Sequence, residues 1–448
     1  MTSRVTTDTY RIIKLALPIM AQSILFTSMS IIDTIMIGYI GTEELAGMGL
    51  ATSIVLVFLS VVYSFSNSVS VIVAQNKHLP NTLKLIVTNG LVLSLTLSFF
   101  IFSIVKLFNE EVILFFWGEE DYTSKAIDYL DVISYTILAS AIIQVYIGLL
   151  NALGNTLLAF LISASGVVSN IFFSYFLVFG IADVDGLGFI GAALGSILSK
   201  LVEIGLIIFF LLKKYNGLYL DFYKFNYKCK SSRELLNIGG AQAINALLWA
   251  ASVNLYTLII AFQGKDLVAS AAVISSITNL AHISYWGIAI AAGIVISEAL
   301  GKKEYERATA ISRLCIALGL AFALLLAVLL YLLNGFILSF YPGLSQRSID
   351  FIQGAYFIVL FTIVIRSLST INIVGALRSG GDNRFIIIMD VVAAWFFGIP
   401  LCYIILFYTD LPLFLAFIAP MVEDMVKAVL STFRVIGEKW QRTISVSD

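Results

Sequence analysis

Apolar residues along this chain come in long runs, and polar turns punctuate them. A helix that crosses a bilayer needs roughly 20 apolar residues. Twelve runs reach that length, with approximate edges at 12–38, 46–74, 84–108, 126–153, 157–180, 187–212, 235–262, 267–299, 308–333, 350–377, 384–408 and 411–437. The breaks are Gly and Asn/Asp clusters, such as GNT at 154–156, ADVDG at 182–186 and RSGGDNR at 378–384. Barrel strands would be about 9–11 residues long and alternate in polarity. These runs do not alternate, so the pattern predicts an all-α integral membrane protein.

The pattern also repeats. Gly41–Ala46 (GTEELA) aligns with Gly264–Ala269 (GKDLVA), VIVAQ at 71–75 with IVISE at 294–298, and LNALGNT at 150–156 with LRSGGDN at 377–383. The longest basic loop, 213–233, separates six runs from six. The expected organisation is a 1–212 lobe, a 213–233 cytoplasmic linker and a 234–448 lobe. Six is even, so both halves enter from the same side, which is the parallel kind of repeat. The loop itself reads as a charged linker that sets topology, ahead of a partner or lipid-headgroup site.

Composition sharpens the class. The chain is 60% hydrophobic and only 12% charged, against about 25% charged in soluble domains. A net charge of −1 argues against a nucleic-acid partner. Cys229 lies in a polar loop while Cys315 and Cys402 lie in separate runs, so no disulfide framework or zinc spacing is expected. No P-loop, nucleophile elbow or His-based metal motif occurs, so the chain is not read as an enzyme. The first apolar run is of full spanning length and is expected to be retained rather than cleaved.

Lys and Arg fix an orientation through the short loops. With the N-terminus inside, twenty fall in cytoplasmic segments, including Arg4, Lys77, Lys213, Lys224, Lys228 and Lys302, and four outside: Lys106, Lys125, Lys265 and Arg347. The outer loops are acidic instead, as in NEE at 109–111 and EED at 119–121.

Candidate chemistry starts in the first run. Pro18 lacks a backbone donor, so it frees the carbonyl of Lys14 and is expected to kink the helix. Asp33 is a carboxylic acid inside the span. Such a residue costs about 2.5–3.5 kcal/mol at a helix centre and is by default a candidate ion or proton site. Met29 and Phe26, at i−4 and i−7, share its face, with Ser30 at i−3. One carboxylate beside a thioether and an aromatic ring suits a flat lipophilic cation. The plainer reading is an Asp hydrogen-bonded for packing. Low dielectric favours the neutral form of the acid, so a proton and a bound cation would compete for it.

Other spans carry ionisable groups too. Lys200 with Glu203, and Glu423 with Lys427, have the spacing to pair on one helix face. Asp424 stands beside the second pair. Arg366 has no acid near in sequence and is expected to find one on another helix, with Asp390 as the first candidate. Glu298, at the inner end of its run opposite Gln75 in the repeat, reads as an interfacial gate or cap contact. His282 reads as a hydrogen-bonded core residue. Gly191 and Gly195, four apart, allow a close helix contact.

Pro18, then Asp33 in IIDTIMIGYIG, then GTEELAGMGLA, resemble the first helix and following loop of the multidrug and toxin extrusion (MATE) transporters. The GNT and GGDN loops and the GAALGS helix extend the resemblance over essentially the whole chain. It implies twelve transmembrane helices in two pseudo-symmetric six-helix bundles, arranged as V-shaped lobes. It further implies a secondary antiporter of the inner membrane, with cytoplasmic termini. Such an antiporter exports organic cations or lipophilic drugs by alternating access, without a cofactor and as a monomer. Pro18 would be its conformational hinge.

In many MATE sequences an Asn, and an Asp four positions later, face the first-helix acid from the fifth helix. Here those positions are Asn170 and Ser174. Asp33, Asn170 and Ser174 could offer sodium three oxygens but only one charge, which favours protons as the coupling ion and leaves sodium as the alternative. The NorM group carries a Gly-x-Pro and then a Glu in the seventh span. GGAQAINALLWAAS has no such Pro, and Trp249 stands at the Glu position, so the resemblance is closer to the proton-coupled DinF-like members. Asp382 fits the family loop LRGxGDT but falls at a cytoplasmic helix-ending turn. The other alternative is a lipid-linked flippase of the same superfamily, which would need a basic cavity. Only Lys200, Arg366 and Lys427 lie in spans.

Overall fold

The computed structural model describes residues 2–117, 122–181, 184–214, 225, 229–341 and 343–444. The acidic triplet 119–121 and most of the 213–233 loop, with Lys224 and Lys228, lie outside the described residues.

The chain is helical nearly throughout. In order come α1 (Thr2–Gly38), α2 (Thr42–Gln75), α3 (Pro80–Leu107), α4 (Asn109–Trp117), α5 (Thr123–Ile133), α6 (Tyr135–Ala152), α7 (Thr156–Phe179) and α8 (Phe189–Lys214). Then follow α9 (Lys230–Ala261), α10 (Lys265–Gly301), α11 (Tyr305–Leu332), α12 (Asn334–Ser339) and α13 (Gln346–Thr370). The last are α14 (Asn383–Val391), α15 (Ile399–Tyr408) and α16 (Ile418–Ile436). A two-residue ladder, β1 (Gly180–Ile181) against β2 (Val184–Asp185), is antiparallel with Gly180 opposite Asp185. Helices dominate because a backbone in lipid must satisfy its own hydrogen bonds.

Among the described residues eleven helices are long and apolar enough to cross a membrane. The expected twelfth span differs. It is a short 3₁₀ turn, Leu413–Phe417, followed by the 19-residue α16, which carries Glu423, Asp424, Lys427 and Arg434. Its buried charges, taken up below, explain why it is too polar to join the eleven. The expected fourth span is also divided, into α5 and α6 at Ser134. α5 is the more polar part, with Lys125, Asp128 and Asp131, and at the break the Lys106 ammonium takes the Asp131 carboxylate at 2.5 Å and the Asp131 carbonyl at 2.7 Å. Ser134 Oγ donates to the same carbonyl at 2.9 Å.

The sequence repeat has a structural counterpart. Gly154 and Gly381, aligned in the two halves, both sit at positive φ, +88° and +73°. Both are followed by the N-cap of a helix, Asn155 before α7 and Asp382 before α14. A side chain at either glycine would be strained, so the turn chemistry is the same at both places. Beyond α13 the helix widens into π geometry over Ile371–Leu377, and Val392–Gly398 does the same between α14 and α15.

By packing, the chain forms two units. One is Met1–Met20 with Leu247–Ile444; the other runs from Ala21 to Ala246. Both boundaries fall inside helices. α1 leaves the first unit two residues after Pro18, and α9 returns after Ala246. The first turns of α1 are anchored by ion pairs within their unit, Arg11 with Glu298 and Arg307 with Asp8 at 2.9 Å. Ile12, Leu15 and Ile19 add apolar burial against Ile288, Ile311 and Ile371. α1 stays helical through Pro18, which needs no partner at Lys14 for the turns on either side to hold.

Candidate ion and substrate site

The site is built within the Ala21–Ala246 unit, on α1, α5, α7 and α8. Gln22 Nε2 donates to Ser163 Oγ at 2.6 Å, so one face of α1 meets one face of α7. Counted by spans, these are the first and fifth and cross in the same direction. Asp33 lies eleven residues beyond Gln22 (33 − 22), and Ser174 eleven beyond Ser163 (174 − 163). Eleven residues make about three turns, which returns each side chain to its starting face. Met29 and Asn170 are each seven residues on, about two turns. By helical period, Asp33 and Ser174 recur on the helix faces that carry Gln22 and Ser163, as do Met29 and Asn170.

Helix α8 packs against α7 at these same two residues, Asn170 and Ser174. Asn170 Nδ2 donates to Ser196 Oγ at 3.0 Å. Gly195 lies so close that a Cβ there would fall 2.7 Å from the Ser174 backbone nitrogen. One at Gly191 would fall 2.5 Å from the Leu177 carbonyl carbon. The two glycines four apart therefore do make the close contact that their spacing suggests.

Polar atoms are left over in this packing. Asp33 Oδ1, Asn170 Oδ1 and Ser174 Oγ are all shut off from solvent and have no hydrogen-bond partner among the described residues. Tyr129 of α5, almost fully buried and stacked on Phe189 at 6.3 Å, is close enough to Asp33 for direct electrostatic interaction. No ion pair involves Asp33 among the described residues. An unpaired buried carboxylate is costly, so a proton or a cation stabilises it. Phe26 and Met29 are half-buried on the same helix. The Lys200 ammonium lies 5.7 Å from the Phe26 ring centroid and pairs with Glu203 at 2.7 Å. Gln22, Tyr129 and Ser196 escaped the sequence reading. Helical spacing from Asp33 would have reached Gln22, but nothing local points to the other two.

The remaining candidates lie in the other unit. Glu298 pairs with Arg11 and with Lys302 at 3.0 Å. Asp382 is held by Arg434 at 2.6 Å. Arg366 does not pair with Asp390; its Nε donates to Asp424 at 2.7 Å. Asp390 sits instead 3.3 Å from Lys427, which also binds Glu423 at 2.7 Å. Tyr256 donates to the other Glu423 oxygen at 2.7 Å. The reason is the rotation of α16, which sends Asp424 and Lys427 to different neighbours. Among the described residues His282 makes ring contacts, 5.2 Å to Tyr285 and 4.9 Å to Trp286, and not the expected hydrogen bond.

The MatE family profile matches residues 18–176 and 243–404. A probable multidrug resistance protein NorM of Thermotoga maritima is 23% identical over 438 residues, covering 96% of this chain and 93% of that one. A probable NorM of Photorhabdus laumondii is 26% identical over 392 residues, 87% of this chain and 85% of that one. Among solved structures, a MOP superfamily transporter from Pyrococcus furiosus superposes with a TM-score of 0.88 at 19% identity. It covers 96% of this chain and 97% of its own. An outward-facing multidrug resistance MATE family transporter gives 0.87 at 19% identity, with 96% of each chain covered. The two matched blocks take in the Pro18–Asp33 helix, the Asn170–Ser174 face and the Arg366 helix, and they make up well over half of the chain. This multi-pass membrane protein therefore belongs to the MatE family of transporters.

Proposed function

We propose that the chain is a proton-coupled exporter of organic cations and lipophilic drugs, working by alternating access in the cell inner membrane with both termini cytoplasmic. The observation that carries this reading is Asp33: an acid within an apolar span, one oxygen closed to solvent, and no fixed cation paired to it among the described residues. A proton or a substrate cation can neutralise it, but one excludes the other. That exclusivity is the simplest coupling. Phe26 and Met29 would supply the adaptable apolar wall and Asn170 and Ser174 the polar one. Pro18 would serve as the hinge, because the helix passes from one packing unit to the other just beyond it. The multidrug resistance proteins to which the chain is similar support the substrate class.

Sodium is the second reading, and it rests on the three unpartnered oxygens of Asp33, Asn170 and Ser174. Proteoliposomes separate the two. A pH gradient alone is expected to drive rhodamine 123 accumulation, and a sodium gradient alone to drive none; the reverse result would replace protons by sodium. In the same assay Pro18→Ala is expected to slow turnover severalfold with dye affinity unchanged. Wild-type turnover would remove Pro18 from the mechanism. A lipid-linked flippase is disfavoured because the intramembrane cations Lys200, Lys427 and Arg366 each have an acid partner.

A further inference from the structure

Within the Ala21–Ala246 unit, α8 carries a cation that the proposed exchange does not use. Lys200 stands 11 residues from Phe189 (200 − 189) and 14 from Lys214 (214 − 200), the ends of its helix. At 1.5 Å per residue those are about 16 and 21 Å, so the residue is deep in its span. An intramembrane Lys is held there by partners and faces the protein interior or a wet cavity.

Its neighbours fix where it points. Ser196, Lys200 and Glu203 are spaced four and three apart, which puts them on one helix face. That face meets α7 on either side of Lys200. Ser196 Oγ accepts from Asn170 at 3.0 Å, and the Glu203 carboxylate lies against Gly166, where a Cβ would collide with it. Glu203 is therefore pinned by α7. It takes the ammonium on one oxygen at 2.7 Å, while its other oxygen is closed to solvent and has no partner among the described residues. The lysine is held beside α1, its ammonium over the Phe26 ring and 5.7 Å from the centroid. A ring face attracts a cation within about 6 Å. Lys200 keeps 13% of its side chain exposed and Glu203 only 2%, so the lysine is the member of the pair that a ligand can reach. A pair at this spacing needs only itself for neutrality. That plain reading leaves the third partner unexplained: Phe26 is the ring proposed above as part of the substrate wall, about 10 Å along α1 from Asp33.

We propose that Lys200 is a specificity-determining residue: a built-in cation on the Phe26 ring, which a substrate cation must displace and an uncharged substrate need not. Glu203 is its positioning residue. The two together carry no net charge, so the pair leaves the long-range pull of Asp33 on cations intact and acts only at the ring. Lys200 thus narrows the advantage of cations over uncharged lipophilic compounds of similar shape, and widens the range of cargo. This inference rests on the reading of the chain as an exporter whose substrates meet Phe26.

Two compounds with phenyl rings on phosphorus test it: tetraphenylphosphonium, a permanent cation, and triphenylphosphine oxide, which is uncharged. The purified full-length protein in detergent is titrated with each by isothermal calorimetry. Removing the pair as a pair, in Lys200→Met/Glu203→Gln, strands no buried charge. That variant is expected to bind tetraphenylphosphonium about fivefold tighter than the wild type, the worth of one freed ring face. Triphenylphosphine oxide is expected to stay within about twofold. An unchanged or weakened affinity for the cation overturns the proposal. An equal gain for both compounds overturns it too, because the lysine would then only fill space. Binding of the cation by neither protein overturns it as well. Should the double variant not fold, Lys200→Arg keeps the charge and lays a flat guanidinium on the ring. It is expected to bind tetraphenylphosphonium about threefold more weakly than the wild type, and equal or tighter binding overturns the proposal. Uptake of rhodamine 123 by wild-type proteoliposomes under a pH gradient separates this from the exchange. Uptake without the fivefold gain refutes only the role of Lys200. The gain without uptake refutes the exchange and leaves the ring contact standing.

Discussion

Asp33→Asn is expected to collapse pH-driven accumulation of a monovalent cationic dye to its equilibrium level. If one proton exchanges for one such cation, each pH unit across the vesicle supports about tenfold accumulation. Asn is nearly the same size as Asp but takes up no proton, so that ratio should fall to about one. Dye affinity should fall too, because a charged contact is worth about 1.5–3 kcal/mol more than none. The sign is specific. Accumulation by the wild type should rise when the dye-filled side is made more acidic, and the variant should be indifferent to pH. Vesicles of Asp33→Asn that still concentrate dye against the gradient would refute the exchange. The closed, unpartnered Oδ1 predicts a functional loss with little loss of stability, since the packing of α1 does not draw on that atom.

The second large effect is on stability. Lys427→Met leaves Glu423 and Asp390 without the cation they share, in a buried part of α16 and its neighbours. Stranding buried charge in this way costs about 3–5 kcal/mol. Tyr256 still donates to Glu423, so the lower end of that range applies to that acid and Asp390 suffers most. The thermal unfolding midpoint in detergent should fall by several degrees. Lys427→Met/Asp390→Asn/Glu423→Gln, which removes the acids together with the lysine, should recover most of the loss. A single variant as stable as the wild type would mean that Lys427 is not the counter-ion the geometry makes it.

Local features of this protein were legible from its residues. The Lys200–Glu203 and Glu423–Lys427 pairs follow from spacing of three and four on one helix. Gly191 and Gly195 share a face for the same reason, and the structure packs α7 against them. The positive-φ turns at Gly154 and Gly381 answer to glycine followed by Asn or Asp, whatever surrounds them. Each of these depends on a few consecutive residues and a known periodicity.

Features that join distant parts of the chain were not legible. Arg366 and Asp424 are 58 residues apart, and only the rotation of α16 decides that Asp424 rather than Asp390 receives the guanidinium. Lys106 reaches 25 residues to Asp131, at the break between α5 and α6. Tyr129 and Ser196 join the Asp33 site through helix packing alone. Hydrophobic run length and helical period, by themselves, determined a multi-pass helical membrane protein and an acid within its first helix. Which side chains meet across helices was decided by tertiary structure. Small rotations and shifts between packed helices select one partner among several, and no local pattern encodes those rotations.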